Sequence, residues 1–198
     1  MGKHRLEAIA DGVYAIVMTL LVIELRLPDL GHVAGGATLG QALVDRAPRA
    51  LAWLLSFWVL ALFWIAHARL YRLLGSIGSP LPLVDLAQLA LVSLLPFTSS
   101  LIGEHGDQPV AAALYSVHLL AIALLSWLRL HVVLRHPGWH GEALTPGLAA
   151  GLRRRVWLVN GCALVALALA FWVPGWNMLA MLGVAFAPVV GRARTGRP

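Results

Sequence analysis

Six stretches of this chain stay predominantly apolar for about the 20 residues an α-helix needs to cross the hydrocarbon of a bilayer. They run from about Ala8 to Leu27, Leu51 to Leu70, Leu81 to Ile102, Val110 to Leu130, Val156 to Val173 and Asn177 to Val190, the last being the shortest. A backbone in lipid has to satisfy its own hydrogen bonds, and runs of this length do so as helices. The expected fold class is therefore all-α, a polytopic integral membrane protein with six transmembrane helices. Composition agrees: 60% of the 198 residues are hydrophobic and 12% charged, against roughly 25% charged in a soluble domain.

The connections carry breakers: "PDLGHVAGGA", "GSIGSP", "GEHGDQP" and "HPGWHGEALTPG" follow the first four spans. No linker or internal repeat divides the chain, which reads as one membrane unit over residues 1–198. The net charge of +6 would suit nucleic acid only on a folded soluble face, and none is expected here. Lys3 and Arg5 ahead of an apolar run resemble a secretory leader, but Glu7 and Asp11 interrupt it and no small-x-small cleavage site follows Leu25. The first span is therefore expected to be a mature helix.

Six spans place Arg26, Arg46 and Arg49 on one side and every other Lys and Arg on the opposite side, which predicts cytoplasmic termini. The run Arg153-Arg154-Arg155 then fixes orientation at anionic headgroups. Trp53, Trp139, Trp172 and Trp176 fall near span ends, as an interfacial aromatic belt would. Cys162 is the single cysteine, so no intrachain disulfide and no CxxC motif exist.

The first helix carries the most information. At 100° per residue, Ile16, Leu20, Ile23 and Leu27 fall within about 60° of one another, a bulky aliphatic stripe. Ala8, Gly12, Ala15 and Thr19 form a second row of small residues that lets another helix approach closely. Asp11 sits away from the stripe, toward Met18 and Val22. An intramembrane acid costs about 2.5 to 3.5 kcal/mol on insertion scales and faces protein or water. The residues alone leave two readings open for the stripe, helix packing or a pore lining. They leave two for Asp11, an interfacial acid or a functional one.

Arg5, Asp11, Gly12, Ala15 and Thr19, with "TLLVIEL", resemble the first helix of the transmembrane protein 175 family of potassium channels, whose signature reads approximately R-x-x-x-F-S-D-G/A-x-x-A-x-x-x-T-L. Trp64 and His67 in "SFWVLALFWIAHARLY" are similar to its second helix. "LVSLLPFTSSLIGEHGD" and "AALYSVHLLAIALLSWL" resemble its third and fourth, and the last two spans match only in length and polarity. The family's Phe-Ser before the aspartate is Ile9-Ala10 here, so that aromatic ring and hydroxyl are absent. The resemblance implies a potassium channel of a prokaryotic cell membrane, a homotetramer of six-helix subunits with helix 1 around a central pore. It implies a hydrophobic filter at Ile16, then Leu20 and Ile23. For Thr19 two readings stay open, a hydroxyl beside the ring or a back-bond to the i−4 carbonyl of its own helix. Arg5, Asp11, Trp64 and His67 would support the pore helix, Asp11 bonding Arg5, His67 or Trp64. No cofactor is expected, K⁺ being the permeant ion.

Two rival functions are weighed. A coupled secondary transporter would use Asp11 and Asp85, though neither inverted repeats nor broken helices are visible in the sequence. A haem-carrying electron carrier would need His67 and His118 as axial ligands, yet they are expected at different depths. Asp85 is read as a cap or interfacial acid and Asn160 as an interhelical hydrogen-bonding residue. His131, His136 and His140 match no zinc spacing. No Ser/His/Asp signature, HExxH or Walker loop is present, so an enzyme is not expected.

Overall fold

The computed structural model describes residues 2–25 and 39–186. Seven helices make up nearly all of it: α1 Lys3–Leu21, α2 Leu39–Asp45, α3 Ala47–Arg72, α4 Leu81–Ser93, α5 Leu95–His105, α6 Pro109–Leu134 and α7 Pro146–Leu169. Tighter 3₁₀ turns continue or link them at Val22–Leu25, Pro137–Trp139 and Asn177–Phe186. No strand occurs among the described residues; an isolated pairing of Leu74 with His140 ties the α6–α7 connection to the end of α3.

Among the described residues, three stretches are long and apolar enough to span a membrane by length and composition alone: Ala47–Arg72, Leu81–His105 and Pro109–Leu134. These correspond to the expected second, third and fourth spans. The third is broken at Leu94, where Pro96 occupies the first turn of α5 and lacks the N–H that a continuous helix would use. The first expected span becomes α1 plus one 3₁₀ turn, and its last residues, Arg26 and Leu27, lie outside the described residues. So do the "PDLGHVAGGA" connection, Ala187 to Val190 of the sixth span and the arginines beyond it.

The fifth span starts earlier than its apolar run suggests. Thr145 caps α7 by accepting a hydrogen bond from the Leu148 N–H at 3.3 Å, and Pro146 opens the first turn. Arg153, Arg154 and Arg155 therefore stand on a helix rather than in a loop. After α7 the chain reverses through Gly175, whose φ of 82° lies in the left-handed region. A Cβ there would come within 2.9 Å of the Gly106 carbonyl oxygen, so glycine is required by backbone angle and by space.

The core is layered. A large apolar cluster joins α1 (Ala10, Tyr14, Val17, Leu21) to α3 through α7, and a smaller one gathers Leu6, Leu70, Tyr71, Leu81, Leu130 and Val133 at one end. At the level between them, α3, α4 and α6 bring together His67, Asp85, Gln88, Ser126 and Arg129, all buried. Elsewhere buried polar groups pair locally. Ser56 bonds Tyr115 at 2.8 Å, and Asn177 donates to Ser116 at 2.8 Å. Asn160 reaches the Ala123 carbonyl of α6 at 3.2 Å, the interhelical role expected of it.

Candidate functional site

α1 divides into two faces. Leu6, Ala10, Tyr14, Val17 and Leu21 are buried at helical spacing against the bundle. The other face is exposed: Gly12, Ala15, Ile16 (60% exposed), Thr19, Leu20 (40%) and Ile23 (42%). The small-residue row and the bulky stripe thus lie side by side, with no covering element from the same chain among the described residues. A Cβ at Gly12 would meet nothing within 4 Å. Exposed apolar residues occur elsewhere on the chain as well, Val110 at the start of α6 and Trp172 past the end of α7 among them. α1 differs in exposing a groove of small residues beside a ridge of large ones, a surface shaped for another helix. Ile23 lies in the 3₁₀ turn past the end of α1. Thr19 Oγ1 donates to the Ile16 carbonyl at 2.7 Å, a bond within its own helix.

Asp11 is exposed but turned away from the aliphatic ridge, and its Oδ1 accepts a 2.7 Å hydrogen bond from Trp64 Nε1 on α3. Of the three partners considered for this carboxylate, Trp64 is the one within reach. Arg5 is exposed and makes no bond to Asp11 among the described residues. His67 does not approach it either. Its ring stacks on Tyr71 at 4.6 Å and lies 6.2 Å from the Tyr14 ring, so it touches the buried face of α1.

The residue His67 does bond is Arg129. Arg129 Nη1 donates to His67 Nδ1 at 2.6 Å, to Gln88 Oε1 at 2.7 Å and to Asp85 Oδ1 at 3.3 Å. Because Nδ1 accepts, the ring proton of His67 sits on Nε2. Tyr71 donates to the other oxygen of Asp85, and Gln88 donates to Ser126 at 2.8 Å. Asp85 is thus a fully buried member of an ion pair, which corrects the cap or interfacial role expected of it. Arg129 is buried to 2% exposure, which removes it from the surface charges used to argue orientation. Sequence carried one signal for this network. Asp85 and Gln88 share a face of α4, and Ser126 and Arg129 share a face of α6, each pair three residues apart. Nothing in the spacing says that the two faces meet. His118 belongs elsewhere: Nε2 donates to the Leu91 carbonyl at 2.9 Å, and Nδ1 accepts from Thr98 at 2.7 Å.

Among the described residues no group of three or more His, Cys, Asp or Glu side chains is placed to hold a metal ion. What the site offers is a ridge of branched aliphatics, a hydroxyl already engaged with the backbone, and an acid held by an indole. Such a surface suits apolar neighbours, and among these described residues no nucleophile is set against a base.

Residues 5–96 match the family model described as the endosomal/lysosomal potassium channel TMEM175. A potassium channel of Chryseobacterium sp. is 30% identical over 138 residues, 70% of this chain and 68% of that one. A potassium channel of Streptomyces collinus is 31% identical over 124 residues, and there the match covers 61% of this chain and only 59% of the relative's length. The crystal structure of a lysosomal potassium-selective channel TMEM175 homolog from Chamaesiphon minutus superposes with a TM-score of 0.79 at 29% identity, covering 96% of this chain and 98% of that chain.

Proposed function

Since the chain belongs to the TMEM175 family, we propose that it is one subunit of a potassium-permeable cation channel rather than an enzyme. In this reading four copies assemble around an axis, each contributing α1, and each subunit crosses the cell membrane of a prokaryote six times with both termini cytoplasmic. The observation that carries it is the exposed face of α1. Ile16, Leu20 and Ile23 project from it, and the row of Gly12, Ala15 and Thr19 lets a neighbouring copy come close.

Ion selection follows from the chemistry of that ridge. No TVGYG loop occurs in the chain, and isoleucine offers no ligand to replace an ion's hydration shell. A ring of such side chains discriminates by width and by the cost of partial dehydration. K⁺ holds its water less strongly than Na⁺ and passes more easily, so selectivity is modest. The same ring closes by dewetting when it narrows, without a large movement of the helices. Asp11, held by Trp64, fixes the tilt of α1 against α3.

The test is K⁺ against Na⁺ flux in proteoliposomes for the wild type and Ile16→Asn. Wild-type protein passes K⁺ downhill without a second gradient, and the asparagine amide, by offering oxygen ligands, lowers the preference for K⁺. An unchanged preference in Ile16→Asn removes Ile16 from the filter. Flux that saturates and requires a coupled ion replaces the channel with a transporter.

A further inference from the structure

A cavity of about 60 Å³ opens between α3, α6 and α7. Its walls are largely apolar, formed by Val59, Phe63, Leu70, Ala123, Val156 and Val159. Against this background it collects Arg69, Arg129, Arg155 and Asn160, and no acid among its lining residues. Arg129 and Asn160 are each more than nine-tenths buried, and each leaves one polar atom unbonded: Nε of Arg129 and Oδ1 of Asn160. The first is a donor separate from the Nη1 that serves His67, Gln88 and Asp85.

Arg69 is exposed and Arg155 half-buried, and among the described residues neither has a carboxylate partner. Two unneutralised guanidinium groups therefore border an apolar cavity that also holds an unpaired donor. In a membrane such a cluster is matched by the phosphate of a lipid, because Arg binds phosphate through paired N–H groups and basic pockets between helices take anionic headgroups. A free phosphate would gain nothing from the apolar walls.

We propose that this cavity binds an anionic membrane phospholipid. Its phosphate lies between Arg69 and Arg155, and its glycerol portion reaches toward Arg129 Nε and Asn160 Oδ1. The volume accommodates about two water-sized groups, so only the edge of the glycerol portion enters, while the phosphate stays at the arginine rim and the acyl chains run outside, along the helices. The proposal rests on the chain's placement in a membrane and is independent of what the assembly conducts.

Native mass spectrometry of the purified full chain tests it, with phosphatidylglycerol and phosphatidylcholine of identical acyl chains as probes. The wild type is expected to retain phosphatidylglycerol about tenfold better, and Arg69→Gln/Arg155→Gln to retain both lipids equally. Arg154→Gln, a neighbouring exposed arginine outside the cavity, keeps the wild-type preference. Val159→Phe, which fills the cavity and leaves every charge in place, loses it, and so decides the matter if the double variant does not fold. Equal retention of the two lipids by the wild type overturns the proposal. So does an equal loss in Arg154→Gln, or displacement of the lipid by millimolar inorganic phosphate, which would mark a site for a free ion.

Discussion

An arginine buried to 2% exposure inside an apolar bundle persists because its charge is met on several sides. Arg129 touches a carboxylate, an amide oxygen and an imidazole nitrogen, while Tyr71 supplies a further hydrogen bond to the same carboxylate. Arg129→Met is expected to destabilise the protein by about 3–5 kcal/mol, because Asp85 is left as an unpaired buried charge. Arg129→Met/Asp85→Leu is expected to recover part of that loss, since both charges then leave together. Thermal unfolding of the detergent-solubilised variants measures both effects. The Asp11–Trp64 bond sits at the surface of the chain and is worth less. Trp64→Phe and Asp11→Ala should each lower stability by about 1 kcal/mol. Because they remove the same hydrogen bond, the double variant should fall well short of their sum. Full additivity in that cycle would show the two side chains to be uncoupled.

At the scale of elements, α1 buries one face against the bundle and leaves the other uncovered among the described residues. Gly12→Leu adds bulk where the single chain has open space. Helix content by circular dichroism is therefore expected to stay the same, while the fraction of assembled protein on size-exclusion chromatography falls. Loss of helix content instead would place the fault inside the subunit. The two faces of α1 were legible in sequence, since Ile16, Leu20 and Ile23 share one side by periodicity alone. Other element features were hidden for physical reasons. α7 begins at Pro146, well before its apolar run, because a capped helix start needs no hydrophobicity and hydropathy does not register it. α2, of seven residues, is too short to leave a periodic signal. The Pro96 break within the third span was available from the proline itself, but apolar length masked it.

Across the whole molecule, the helical class and the spans Ala47–Arg72, Leu81–His105 and Pro109–Leu134 follow from composition and run length, which the bilayer dictates. The Asp85–Arg129 pair does not follow, because two helix faces 44 residues apart in the chain meet only through tertiary packing. The same limit applies between subunits: a single chain displays the ridge of α1 without displaying what it faces. Cross-linking supplies that information most directly. With Cys162, the only native thiol, replaced by alanine, Ile16→Cys places one cysteine per subunit on the ridge. Leu164→Cys, on the exposed side of α7, serves as the control. If copies of α1 converge on a shared axis, Ile16→Cys is expected to form covalent dimers under oxidation and to lose K⁺ flux on adding Cd²⁺, while the control does neither. Ile16→Cys that stays monomeric and conducts undisturbed in Cd²⁺ would contradict a pore lined by α1.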